Sequence, residues 1–181
     1  SFLKYLAKRD VNTLAPEKIE LARMPERAVT FLEPEELERL LAAPLKGLGE
    51  DPLKLPIIRL RDKAILETLF STGLRVSELA SLTRDHINAG REEVTVRGKG
   101  DKPRVVFLSN QSRYWIKAYL DRRHDVDAHL FVSHDRAQKG RDLDSGLTPR
   151  SVQRIVIRYA VEAGITKEIT PHTMRHTFAT D

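Results

Sequence analysis

Along this chain, apolar residues recur mostly at helical intervals and in one region at strand intervals. "SFLKYLAKR" carries Phe2, Leu3 and Leu6 as the last turns of a helix would, so the chain is expected to start within a longer protein. From Asp10 to Thr30, Pro16 and Pro25 interrupt a stretch with few periodic apolar positions, which predicts an extended linker. "FLEPEELERLLAAP" predicts a helix with Pro34 at its first position, Glu35 and Glu36 near the positive end of its dipole, and an end by Pro44. "IIRLRDKAILETLFSTG" places Ile58, Ile65, Leu66, Leu69 and Phe70 on one stripe, a core helix with Gly73 as a left-handed cap.

The period then changes. In "EVTVRGKGDKPRVVFLS", β-branched runs at Val94–Val96 and Val105–Phe107 flank two glycines and a proline, predicting a β-hairpin. "NQSRYWIKAYLDRR" and "TPRSVQRIVIRYAVEAG" return to helical spacing; the second has Thr148 as N-cap, Pro149 at the first position and Gly164 past the end. Between them, "SHDRAQKGRDLDSG" reads as an exposed loop. The chain closes on "TPHTMRHTFATD", where Thr170 and Pro171 repeat the capping pattern and begin another helix.

The 181 residues suffice for a real core, and one globular unit, with or without fragments of neighbours, is expected. Hydrophobic residues at 40% and charged ones at 31% describe a soluble protein; no apolar run is long enough for a membrane span and no signal peptide is visible. With no cysteine, disulfides, zinc–thiolate sites and thiol nucleophiles are excluded, which fits a cytoplasmic location. The net charge of +5 is unevenly spread: Arg97 to Arg158 holds 14 Lys plus Arg against 7 Asp, the remainder 17 basic against 19 acidic residues. Such a basic stretch fits either a solvated face or a surface that tracks phosphates.

The candidate chemistry lies at three places. His172 and Arg175 fall three apart in the first turns of the last helix, on one face, where exposed amides also favour an anion. As a pair they match many ordinary surface residues. In "STGLRVSELASL", Thr72 and Gly73 turn the chain and Arg75 begins a short helix with Glu78 three residues on, which by itself reads equally as a local ion pair. In "GKGDKPR", Lys99 stands between glycines at the hairpin tip, where a lysine also serves solubility.

Taken in order, T-G-L-R-x-S-E-L, G-K-G and T-P-H-x-x-R-H-T-F-A-T resemble the tyrosine recombinase, or phage integrase, family, above all its Xer-like members, over nearly the whole chain. The resemblance implies an α+β, mainly α-helical catalytic domain with a small antiparallel sheet carrying a Lys-bearing hairpin. It implies residues 1–9 as the end of an N-terminal core-binding domain, 10–30 as linker and 31–181 as catalytic domain. Arg75, Lys99, His172 and Arg175 would be catalytic and Glu78 would support Arg75; His176 reads as a packing or hydrogen-bonding residue. The family reaction is attack of a tyrosine hydroxyl on a DNA phosphodiester, giving a 3′-phosphotyrosyl link and a free 5′-hydroxyl, and then rejoining to another strand. Guanidiniums suit the charge that builds on the phosphate oxygens, a lysine suits the departing 5′-oxygen, and His172 suits either a donor or a base. Neither metal nor cofactor is expected.

Two further expectations come from the resemblance. Arg150, Gln153 and Arg154 lie on one face of a helix, with Arg158 one turn on, as candidate contacts to double-stranded DNA. Family members continue past "RHTFAT" to a nucleophilic tyrosine, whereas this sequence stops at Asp181, so a catalytic-domain fragment unable to cleave and largely monomeric is expected, from a full-length protein that forms a tetramer on paired DNA sites. Alternatives are a non-catalytic DNA-binding protein of the same fold and a type IB topoisomerase-like activity.

Overall fold

The computed structural model describes residues 2–12, 14, 31–87, 92–98, 102–134 and 146–180. The linker expected over 10–30 and the loop expected after Ser133 therefore lie largely outside the described residues, as does Lys99. Helix α1 (Phe2–Ala7) buries none of its side chains, and Phe2 and Tyr5 are exposed.

Capping chemistry sets most helix boundaries where the sequence places them. Pro34 opens α2 (Pro34–Ala42), with the Glu36 carboxylate returning to the Glu33 amide at 2.9 Å; a 3₁₀ turn through Pro44 follows. Ser109 caps α5 (Asn110–Asp121) and Thr148 caps α6 (Pro149–Glu162), each hydroxyl accepting the amide three residues on. Thr170 and Thr173 exchange the same bonds at the start of α7 (Pro171–Thr180).

The centre of the fold is α3 (Ile57–Thr72), which packs against α2, α5, α6 and α7. Surrounded in this way it is buried on nearly every side, and not along one stripe. Ile58, expected in the core, is on the surface, and Phe70 is only partly buried. Polar residues of α3 are buried in their place, each with a partner. Arg61 donates to Asp62 Oδ1 through Nε and Nη2 (2.9 and 2.7 Å), and the Tyr159 hydroxyl donates to Asp62 Oδ2 at 2.9 Å. Lys63 donates to Glu67 at 2.6 Å and to the Leu41 carbonyl, and Thr68 meets Ser112. Unpaired, these groups would be costly to bury; paired, they fix the register of α3 against α5 and α6.

The predicted hairpin forms from β1 (Glu93–Arg97) and β2 (Pro103–Phe107), antiparallel, with Val94 opposite Val106 and Val96 opposite Arg104. Val94, Val96 and Val106 are buried and the alternate positions face outward, as the pleat requires. No helix among the described residues is long and apolar enough to cross a membrane.

Candidate active site

The site begins with the turn that ends α3. Gly73 adopts φ 57°, ψ 29°, and its amide closes the helix on the Leu69 carbonyl at 3.0 Å. A β-carbon here would stand 2.5 Å from Cδ1 of Phe178, so α7 lies directly against this turn. Glycine is thus required twice, for its backbone angle and for the approach of the helix that carries His172 and Arg175.

Beyond the turn, Arg75 is the extended N-cap residue of α4 (Val76–Ala80). Glu78, buried in the first turn of α4, reaches back to it twice: Oε2 accepts the Arg75 amide at 2.8 Å and Oε1 accepts Arg75 Nη1 at 2.9 Å. The arginine expected at the start of this short helix and its acidic partner are therefore joined, while half of the Arg75 side chain stays exposed.

A third group enters from the hairpin. Arg104 Nη2 donates to Glu78 Oε2 at 2.8 Å, so one carboxylate holds two guanidiniums. Burial pushes the Glu78 carboxyl up, but the hydrogen bonds from Arg75 and Arg104 outweigh it and keep it below the ordinary carboxylate range, hence ionised at neutral pH. From α7, Arg175 Nη1 donates to the Gly73 carbonyl. Burial, followed by the charges of Arg75 and Arg104, makes the Arg175 guanidinium less basic than usual, and Glu78 offsets part of this. An arginine remains protonated regardless. Arg75 and Arg104 thus share one carboxylate, and Arg175 is near enough to feel all three charges, which sum to an excess of two positive charges.

His172 is exposed one turn before Arg175, and its Nε2 lies 2.9 Å from Nε2 of His176, the two rings set edge to face. In such a contact one ring donates and the other accepts. Lys99, the remaining expected catalytic residue, lies outside the described residues.

Helix α6 packs against both α4 and α7. Its Arg150, Gln153 and Arg154 are exposed as expected, while Ile155, Val156 and Tyr159 face the core. Arg158 is exposed as well, but its guanidinium is engaged within the protein. It donates to the Tyr159 hydroxyl at 2.6 Å and pairs with Glu162 at 3.2 Å. Arg154 and Arg158 line a groove of about 930 Å³ with Arg61 and His134.

Sequence reading missed Arg104. Its one signal is the period of β2, which puts a charge on the same face as buried Val106; an inward charge requires a partner, but only the packing of the hairpin against α4 shows that the partner is Glu78.

Residues 30–181 match the model of the phage integrase family. The chain belongs to this family. As a phage integrase family member it is 35% identical over 184 residues to the tyrosine recombinase XerC of Myxococcus xanthus, covering 99% of this chain and 58% of that protein. It is 38% identical over 181 residues to the tyrosine recombinase XerD of Chlorobaculum tepidum, covering 99% and 57%. Its fold matches the crystal structure of the XerH site-specific recombinase bound to difH substrate in a pre-cleavage complex, with a TM-score of 0.65 and 26% identity over 98% of this chain and 49% of that one. The chain spans little more than half the length of these curated relatives.

Proposed function

We propose that this chain supplies the phosphate-activating part of a tyrosine recombinase and acts in site-specific recombination of double-stranded DNA. The observation that carries the reading is the pair of guanidiniums, Arg75 and Arg104, on the buried Glu78 carboxylate, with Arg175 joined to the Gly73 turn two residues before the half-exposed Arg75. In this reading Arg75 and Arg175 bind the non-bridging oxygens of the scissile phosphate, where charge builds in the transition state. A tyrosine oxygen bonds to phosphorus as the bond to the 5′-oxygen breaks. Lys99 gives its proton to that oxygen and is left as the amine, and His172 either takes the tyrosine proton or donates to a phosphate oxygen while water takes that proton. Rejoining reverses these transfers with the 5′-hydroxyl of another strand, so the bond energy is kept in the phosphotyrosyl link.

The same reading takes residues 31–181 as the catalytic domain, 1–9 as the end of a core-binding domain and 10–30 as linker. Arg150, Gln153 and Arg154 contact DNA, the attacking tyrosine lies beyond the His-x-x-Arg motif in the longer protein, and that protein assembles as a tetramer on paired sites in the cytoplasm. The 181-residue chain alone is largely monomeric.

The test is single-turnover cleavage of a nicked suicide duplex by the full-length protein. Arg75→Ala and Arg175→Ala are each expected to slow formation of the covalent adduct by about 100- to 1000-fold. Lys99→Ala is expected to be strongly slowed on normal DNA but restored when sulfur replaces the scissile 5′-oxygen, because a thiolate leaves without a proton. Near-normal adduct formation by Arg75→Ala would overturn the assignment of the site, and an equal defect on both substrates would remove Lys99 from the acid role.

A further inference from the structure

Arg104 occupies a position that strand geometry assigns to an apolar side chain. It pairs across the hairpin with buried Val96, and two residues further along the same strand face is buried Val106. The guanidinium there, on a side chain about a third exposed, has Glu78 as its charged partner among the described residues: Nη2 donates to Oε2 at 2.8 Å, while the buried Nε has no hydrogen-bond partner. Its guanidinium is thus committed to Glu78 and does more than fill the hairpin interior.

The use follows from how Glu78 is shared. An arginine beside a free carboxylate tends to form two parallel hydrogen bonds, one to each oxygen. Arg75 does not: its guanidinium has one bond to Glu78, through Nη1 to Oε1. Oε2 is already taken by the Arg75 amide and by Arg104. We propose that Arg104 is a positioning residue for the phosphate-binding arginine: by occupying Oε2 of Glu78 it restricts the Arg75 guanidinium to a single bond and leaves its outer edge for a phosphate oxygen. Without Arg104 the buried Oε2 loses its charged partner and draws in the Arg75 fork, turning it away from the substrate. The same pairing links strand β2 to the start of α4, and the proximity of Arg104 adds to the positive field at Arg175. The inference rests on the phosphate-binding role of Arg75 given above.

The experiment measures single-turnover cleavage at saturating DNA by the full-length protein, alongside DNA affinity. Arg104→Ala is expected to slow cleavage about 10- to 100-fold, the range for residues that orient a primary group, with affinity little changed. Arg104→Gln, which keeps an N–H donor for Oε2, is expected to recover part of the rate and guards against a simple loss of folding. In a Glu78→Ala background, Arg104→Ala is expected to add almost nothing, because its route to Arg75 is already gone. On a duplex whose scissile phosphate is a neutral methylphosphonate, the Arg104→Ala defect is expected to shrink together with that of Arg75→Ala, since less charge builds on the oxygens; on the 5′-sulfur substrate it is expected to persist.

Multiplicative defects in Arg104→Ala and Glu78→Ala, or rescue of Arg104→Ala by the 5′-sulfur, would overturn the proposal, the latter by assigning Arg104 to the lysine on the hairpin. If instead Arg75→Ala gained nothing on the neutral substrate, the phosphate role of Arg75 would fall. The coupling of Arg104 to Glu78 would still be decided by the double variant.

Discussion

At the scale of single residues, the site depends on one glycine as much as on its charges. Gly73 turns the chain at φ 57°, passes its carbonyl to Arg175 and lets Phe178 close over it. Gly73→Ala forces a β-carbon into a left-handed backbone and into the Phe178 ring together. It is expected to destabilise the fold by about 1–3 kcal/mol, measured by urea denaturation. Trimming the ring in the double variant Gly73→Ala/Phe178→Ala relieves the contact but not the backbone strain, so only part of the loss should return. A Gly73→Ala variant as stable as the parent would show that α7 does not need this close approach. Arg75 and Glu78 pair within one turn, and Arg175 is brought to them because this turn and α7 touch; Arg104 joins Glu78 from a strand whose pattern gave no hint of its partner.

At the scale of elements, α3 determines where everything else stands. Its buried Asp62 accepts from Arg61 and from Tyr159 of α6, and Arg158 approaches the same carboxylate at 3.6 Å. Asp62 has no exposed surface and Arg61 very little. Asp62→Ala therefore leaves a buried guanidinium without its counter-ion, and about 3–5 kcal/mol of stability is expected to be lost in chemical denaturation. Tyr159→Phe removes one hydrogen bond and is expected to lose only about 1 kcal/mol. A small loss for Asp62→Ala would mean that Arg61 finds water through the groove beside α6. The network also engages the guanidinium of Arg158, which stays exposed beside Arg150, Gln153 and Arg154 on the outward side of α6.

At the scale of the whole molecule, the basic stretch predicted from charge counting acquires a direction. We expect the 181-residue chain to bind duplex DNA with an affinity that falls steeply as salt rises. Replacing Arg150 or Arg154 by Ala should lower the slope of log affinity against log salt by about one each, provided each contacts a phosphate. An unchanged slope would remove that residue from the DNA face. Binding is expected to proceed without a covalent adduct, because none of the four tyrosines follows the His-x-x-Arg motif, where the proposed mechanism places the nucleophile. Tyr5 lies on the exposed α1 and Tyr114 on α5. Tyr119 and Tyr159 are buried, the Tyr119 phenol pushed up by burial to about 12 and that of Tyr159 pushed up by burial and by Asp62. A phosphotyrosyl adduct on any of them, detected by peptide mass spectrometry, would refute this.

What the sequence determined by itself is what short-range physics controls. Hydroxyl caps at Thr148 and Thr170, the left-handed glycine after α3, the alternation of the hairpin and the close spacing of Arg75 with Glu78 all act within a few residues, so their outcome is written locally. The three motifs also carry the family resemblance, because each is a short run of residues read without the fold. The tertiary structure alone decided which groups share a carboxylate and which faces lie inward. Burial of α3 on nearly all sides, exposure of Ile58 and recruitment of Arg104 each depend on residues tens of positions away. A buried charge is stabilised by whatever opposite charge the packing brings to it, and periodicity along one segment carries no record of that partner.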